Sequence, residues 1–451
     1  MLTRTSSLLA VGIAAAVFAA PRAQAPFAYA IRGARIVTAA GAPIASGTIV
    51  LRGGLVEAVG ADVAVPADAR LIDGAGLTVY PGLIDMATAA GLELPRAQAP
   101  EFKTSEEAER WKRDMIFRPQ LEAAEHVRPD ATGLTSLASA GITTVLATPP
   151  GEVVKGRSAL VNVAAPEEDP QIGAVADPRR GLVVVRAPVA LHVEFTERPR
   201  GDGYPASLMG VIAFVRQSFL DAQHHQASID RYQRVKTGVT RPVFDPALDA
   251  LQPALAGRLP VAFEGDTARQ ILRALKMAAE FKLDPIVTGA REANQVAADL
   301  KARNARVILS LNYPVRPRTL APDADESVRA LRERAAAPKT AAALEKAGIM
   351  FAFGSDGLSD VKDFVRNAAK AVKDGLAADA AVRALTINAA RIAGAAERLG
   401  SLEKGKIANV LVTEGDLFDE KMKVKHVFVD GRQLHIEEAP AQRPARGRPA
   451  L

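Results

Sequence analysis

His192 in ALHVEF, Glu264 in VAFEG and Asp356 in FGSDG stand on or just after three short apolar runs. One imidazole and two carboxylates have the donor composition of an open facial site for a single divalent metal. The same groups could instead hydrogen-bond to one another and simply fill space. Asp356 carries its own pair of readings. It is either a proton carrier or a turn aspartate between Ser355 and Gly357, bonding local backbone N–H groups. Thr288 in PIVTG joins His192 and Glu264 as a candidate pocket-lining residue.

Other chemistry-bearing patterns weigh less. The six histidines are His126, His192, His224, His225, His426 and His435. His224 and His225 lie in DAQHHQAS, a polar helical stretch. Neighbours there point about 100° apart, so the pair cannot ligate together and is expected on the surface. GSLEKGKI (400–407) imitates a phosphate loop, but Ile407 stands where Ser or Thr must reach magnesium. It reads as a turn before a strand. GRSAL (156–160) lacks the second glycine of a serine-nucleophile elbow. The chain has no cysteine, which excludes thiolate chemistry, Cys-ligated zinc and disulfides.

The elements that must position these residues are legible in the hydrophobic rhythm. YAIRGARIVTAA, GTIVLRGGLVEAVG and ARLIDGAG alternate apolar residues between Gly and Pro, the mark of β-strands with tight turns. From ITTVLATP onward, VALHVEF, LPVAFEG, PIVTG, RVILSL and IMFAFGSD are short apolar runs, most of them separated by helical stretches. After LPVAFEG, Asp266 is placed to N-cap a helix whose Ala268, Ile271, Leu272 and Leu275 share one face, with Arg269, Arg273 and Lys276 elsewhere. TAAALEKAG shows the same alternation before IMFAFGSD. Such alternation predicts a parallel α/β architecture. ANVLVTEG and VKHVFVDGRQLHI return to the opening β-texture, so both ends are expected in one small domain.

Five phrases carry a resemblance. GTIVLRGGLVEAVG, LIDGAGLTVYPGLID, FGSDG, ALTINAARIAG and GSLEKGKIANVLV stand in the order seen in the amidohydrolase superfamily. YPASLMGVIAFVRQSFLDA (204–222) resembles a stretch of its secreted, imidazolonepropionase-like branch. The resemblance implies an α/β fold, a (β/α)8 TIM-type barrel at 79–395. It also implies a composite β-sandwich from 28–78 and 396–436, with the site at the carboxyl ends of the barrel strands. It implies hydrolysis of non-peptide C–N bonds by one or two divalent metals, which activate water while an aspartate handles the proton.

The ligands it implies are mostly replaced. The His-x-His positions in YPGLIDMATAAG hold Ala87 and Ala89, methyl groups that cannot ligate. The bridging-lysine position falls on His192, the strand-five histidine on Glu264, and the strand-six histidine on Thr288 or Gly289. Asp356 stands where the family has its aspartate. The expectation is a protein that has lost the binuclear site, needs no cofactor, and binds a ligand such as a small amide or cyclic amide. It would form a homo-oligomer or partner an intact paralogue. The alternative is an active amidohydrolase. It would use either one zinc or manganese ion on His192, Glu264 and Asp356, or metal-free acid–base chemistry by Asp356 and Glu264.

Length and composition set the outer limits. A chain of 451 residues suits a large barrel with an appendage, and 48% hydrophobic with 24% charged residues is globular. One Trp and 5% aromatic residues leave little for a base-stacking surface, so no nucleic-acid partner is expected. MLTR, the apolar run Leu8–Ala20 and RAQA fit a leader over 1–25, cut after Ala25, with Ala28-Tyr29-Ala30 as a second site because Pro26 is unfavourable. A secreted or periplasmic, bacterial-type protein is expected. Loss of Arg4 and Arg22 with the leader would lower the net charge of +6 by two. Arg443, Arg446 and Arg448 make residues 437–451 a basic, disordered, solvated tail.

Overall fold

In YAIRGARI the side chains of Ala34 and Ile36 turn inward while Arg32 and Arg35 stay in water, the period of a strand covered on one side. The computed structural model describes residues 28–95, 99–128, 132–163, 184–197, 199, 203–321 and 323–434. The expected leader, the tail and His435 lie outside the described residues.

The strands run in this order. β1 (Ala28–Ile36), β2 (Ile44–Arg52), β3 (Leu55–Gly60), β4 (Arg70–Asp73) and β5 (Leu77–Pro81) come first. β6 (Leu83–Thr88) and β7 (Ile142–Ala147) precede three short strands, β8 (Val154–Arg157), β9 (Ala159–Asn162) and β10 (Val184–Arg186). β11 (Leu191–Glu194), β12 (Val261–Gly265), β13 (Pro285–Gly289), β14 (Arg306–Ser310) and β15 (Phe351–Gly354) are separated by helices. β16 (Val410–Glu414), β17 (Lys423–Val429) and β18 (Arg432–Leu434) end the described chain.

The fold is mixed α/β. An eight-stranded sheet has the order β18-β17-β16-β5-β1-β2-β3, with β4 beside β1. It therefore draws strands from both ends of the described chain, joined where β16 runs antiparallel to β5. Ile31, Ile36, Ile49, Leu51, Val410, Val412 and Phe428 fill its core. A buried polar network ties this sheet to the strands beneath. Asn409 donates to Thr144 Oγ1 at 3.0 Å and to Asn162 Oδ1 at 2.9 Å. Asn162 in turn donates to Asp430 at 2.8 Å, and the Asp430 N–H returns to Asn409 Oδ1 at 2.9 Å. Most of these groups satisfy one another, which is what makes buried polar groups tolerable, and only Asp430 Oδ2 among the four residues is buried without a partner.

Two further sheets carry the parallel strands, one ordered β10-β9-β7-β6 and the other β15-β14-β13-β12-β11-β8. The expected parallel pairing holds for β6 with β7 and from β11 through β15. It fails in between, where β9 and β8 run antiparallel to β7 and β11. Residues 148–153 are too few for a crossover helix, and a short turn can only return the chain antiparallel. Among the described residues no strand ladder joins the two sheets, but β15 lies beside β6, where the Asp356 N–H donates to Ala87 O at 2.8 Å.

Helix details depart from expectation too. Thr267, not Asp266, caps the helix Ala268–Phe281, in a capping box with Gln270. The helix buries Ile271, Ala274, Leu275 and Phe281, and Leu272 is exposed. His225 is buried and only His224 faces out, since one helical step of about 100° carries a side chain across the boundary.

Ile84, Met86, Leu146, Leu160, Ala262, Ile286, Ile308 and Ala352 form one cluster, each 1% exposed or less. They come from both sheets, so the two sheets face a common apolar interior. Gly354 belongs to the seam of that interior. A Cβ added there would meet the Ala87 Cβ at 2.6 Å and the Ala87 N at 3.0 Å. Gly354→Ala is expected to cost about 1–3 kcal/mol, as overpacking does. Ala87→Gly in the same chain should recover at least half of that loss in chemical denaturation. An undiminished loss in the double variant would contradict the contact.

Candidate functional site

Strand period two lifts the next inward layer directly above the apolar one. Two residues beyond Ala190, Ala262, Ile286, Ile308 and Ala352 come His192, Glu264, Thr288, Ser310 and Gly354. On the parallel strands β11–β15 this layer lies toward the carboxyl ends, where the backbone register sets Glu194 beside Glu264 and Glu264 beside Thr288. Glu194, Glu264 and Thr288 are therefore brought to one mouth, with Asp356 just past β15, while His192 lies one inward step deeper, opposite Ala262.

Lys155 stands between two of the mouth's carboxylates. From β8 its Nζ donates to Glu194 Oε2 at 2.8 Å and to Glu264 Oε2 at 2.5 Å. Only 12% of the lysine side chain is exposed. Burial works to lower the pKa of this ammonium, but Glu264 and Glu194 outweigh it and hold the group above its ordinary range. Glu264 is pushed up, by its loss of water first and then by Glu194 and Asp356, against the pull of Lys155.

The surrounding groups are shaped by the same crowding. Burial, with the Lys155 charge added, drives His192 down to about 3, so its imidazole is neutral at physiological pH. Its Nε2 is buried without a hydrogen-bond partner. Asp266 rises to about 6 through burial, helped by Asp356 and Glu264 and opposed by Arg291, which it meets at 3.5 Å. Asp85 on β6 is fully buried and also rises to about 6, burial being the main cause and Asp356 a lesser one. Its Oδ1 accepts the Ser355 N–H at 2.7 Å and the Ala87 N–H at 3.1 Å, and its Oδ2 has no partner.

Asp85 thus takes the turn-pinning role that the sequence offered to Asp356. Asp356 itself is exposed and sits at φ +47°, with its N–H on Ala87 O and its carbonyl accepting from Asn312 at 3.0 Å. Ala87 presses on Gly354, and Ala89 is exposed just past β6. Thr288 is half-buried on β13.

These residues do not fit a divalent ion as they stand. Among the described residues no three His, Asp or Glu side chains are grouped to hold a metal. An ammonium already fills the point where the Glu194 and Glu264 carboxylates converge. The expected trio of His192, Glu264 and Asp356 has no ligating geometry. Sequence reasoning missed Lys155, Glu194, Asp266 and Asp85. The available signal was a lone lysine within the apolar run VVKG, on a segment short enough to pair back on the strand of His192.

Residues 78–434 match the Amidohydrolase family. The chain belongs to that family. Among solved structures, an amidohydrolase from Thermotoga maritima MSB8 is 23% identical with a TM-score of 0.72, covering 90% of this chain and 99% of its own. A Xaa-Pro dipeptidase with bound methionine in its active site is 18% identical with a TM-score of 0.51, covering 90% and 99%. At such identities the likeness is one of fold. No curated protein sequence matches the chain.

The Asp85 environment gives this amidohydrolase-family chain a pH signature. An acid whose folded pKa is raised from 3.8 to about 6 favours the folded state most below the unfolded value. That advantage is lost as pH rises through about 6. Asp85→Asn removes the titration. The stability of the variant relative to the parent should therefore rise by about 2–3 kcal/mol between about pH 4 and pH 7.5 in urea unfolding. A pH-independent difference would show that Asp85 titrates normally.

Proposed function

We propose that this chain is an amidohydrolase-fold protein without the metal chemistry of its family, whose barrel mouth is kept as a binding site. The observation that carries the reading is the Lys155 Nζ, 2.8 Å from Glu194 and 2.5 Å from Glu264, in a chain that has methyl groups at Ala87 and Ala89. A cation fixed to the chain stands between carboxylates that a metal ion would need, and the methyl groups of Ala87 and Ala89 cannot ligate one. On this reading the common apolar interior belongs to a (β/α)8 barrel, and the terminal sheet belongs to a composite sandwich. The protein is exported by its leader and belongs to the imidazolonepropionase-like branch. It takes a small amide or cyclic amide in the mouth, as a homo-oligomer or as the partner of an intact paralogue. Fold alone does not license activity, which supports weighing the site above the ancestry.

A second reading draws on the raised pKa values of Glu264 and Asp266 close to Asp356. Carboxyl groups whose environments differ can divide acid and base roles without metal. Hydrolysis of a cyclic amide that survives chelation and is lost in both Asp356→Asn and Glu264→Gln would favour that reading.

The metal-free reading is tested by elemental analysis of protein produced with its leader in medium supplemented with zinc and manganese. Less than about a tenth of an ion per chain is expected, because no described constellation competes with Lys155 for it. Two tightly held ions per chain would end the reading. Ala87→His with Ala89→His should confer no zinc-dependent turnover, since the positions of Glu264 and Thr288 still lack imidazole. Turnover by the double variant would overturn the strand assignments of Glu264 and Thr288.

A further inference from the structure

We propose that the end of the long helix Leu208–Arg234 and the segment 235–244 after it form a docking surface for an anionic lipid bilayer. Arg231, Arg234, Lys236 and Arg241 would meet the headgroups, and Val243 and Phe244 would enter below them. The proposal does not depend on what the mouth binds. Its first support is the helix. The buried residues are Val211, Val215, Ser218, Phe219, Ala222 and His225, and none from 226 to 234 is buried. Twenty-seven residues run about 40 Å. β12, the strand the chain enters next, has five and spans about 17 Å. The helix therefore continues past its last packed turn. It leaves from the carboxyl end of β11, and the chain must return to the amino end of the parallel β12. Its far end thus lies on the side away from the mouth.

Charge is the second support. Residues 231–244 carry four cations and no acid. All four cations are exposed, and none is paired with a carboxylate among the described residues. The acids bordering the segment are engaged elsewhere. Asp230 accepts from Gln226 at 2.8 Å, and Asp245 caps the helix Pro246–Ala250 through the Ala247 and Leu248 N–H groups. The negative end of the long helix accounts for Arg231 and Arg234. It accounts for neither Lys236 nor Arg241, nor for the apolar side chains beside them. Val243 is 86% exposed, Phe244 66% and Val235 54%. Large apolar groups gathered in water mark a surface that meets a partner. Gly238 turns the segment at φ +74° with open space around it.

Cations interleaved with exposed apolar side chains fit a partner that is negative at its surface and apolar just beneath. A bilayer containing anionic lipid has that profile. A protein partner requires complementary shape. Residues 235–245 form neither helix nor strand, and a fluid surface lets each side chain find its own depth. A nucleic acid would engage the cations but offers Val243 no apolar bed. Among the described residues no helix is long and apolar enough to cross a membrane, so the contact is made at the surface. With this end of the helix on the lipid, the mouth faces water.

The test is co-sedimentation of the full chain with vesicles of phosphatidylcholine, alone or mixed equally with phosphatidylglycerol. Parent and variants share both ends of the chain, so the difference between them is the readout. The parent should bind the mixed vesicles, and less so in high salt. Arg231→Gln, Arg234→Gln, Lys236→Gln and Arg241→Gln together should weaken binding about 100-fold or more, each cation contributing on the order of fivefold. Val243→Ser with Phe244→Ser should weaken it about tenfold or more. These variants should melt within about 2 °C of the parent, since the side chains they replace are exposed. Trp111 is the chain's single Trp, so Phe244→Trp combined with Trp111→Phe reports locally. Its emission should move to shorter wavelength on the mixed vesicles only. Unchanged emission, or variants that bind as the parent does, would overturn the proposal. So would duplex DNA bound as tightly as the vesicles with no effect of the Ser pair on either, which would mark a general polyanion surface.

Discussion

Two carboxylates at the ends of neighbouring parallel strands need a positive charge between them, and in this molecule the charge is covalently part of the chain. Glu194 and Glu264 are brought side by side by the β11–β12 register, not by any flexible loop. The strands cannot separate without breaking a ladder whose inward face is sealed by Ala262, Ile286 and Ile308. Lys155 resolves the conflict, and its own placement depends on the antiparallel return that brings β8 against β11. The neutral state of His192 and the raised pKa of Glu264 both trace back to this crowded arrangement.

The apolar layer beneath is the second constraint. Because side chains alternate strictly along a strand, sealing the interior with Ala262, Ile286, Ile308 and Ala352 also dictates which residues face the mouth two positions on. Gly354 shows how tight that seal is. Ala87 leaves no room for any side chain opposite it. Asp85 then fixes the turn after β15 by accepting from Ser355 and Ala87, and this holds Asp356 at the rim.

Much of this was legible in the residues alone. Short apolar runs gave the strands from ITTVLATP to IMFAFGSD, and the ordered phrases gave the family that residues 78–434 match. What could not be read was pairing across distance. Lys155 is far from Glu264 in sequence, and only the antiparallel return makes them neighbours. Asp266 was read as a cap because Asp commonly caps helices, but Thr267 with Gln270 satisfies two donors at once and prevails. His225 lay beyond reach because one position along a helix decides between solvent and core.

The terminal sheet has a consequence of a temporal kind. β5 finds its partner β16 more than three hundred residues later, with Val79 opposite Val412. Asn409 and Asp430, which fasten that sheet to Asn162, are also late in the chain. A growing polypeptide therefore cannot finish its first sheet until nearly its last strand has been made. Contacts spanning such loops form slowly. For most of synthesis β1 to β5 have an open flank, and the sheet is completed only when β16 reaches β5.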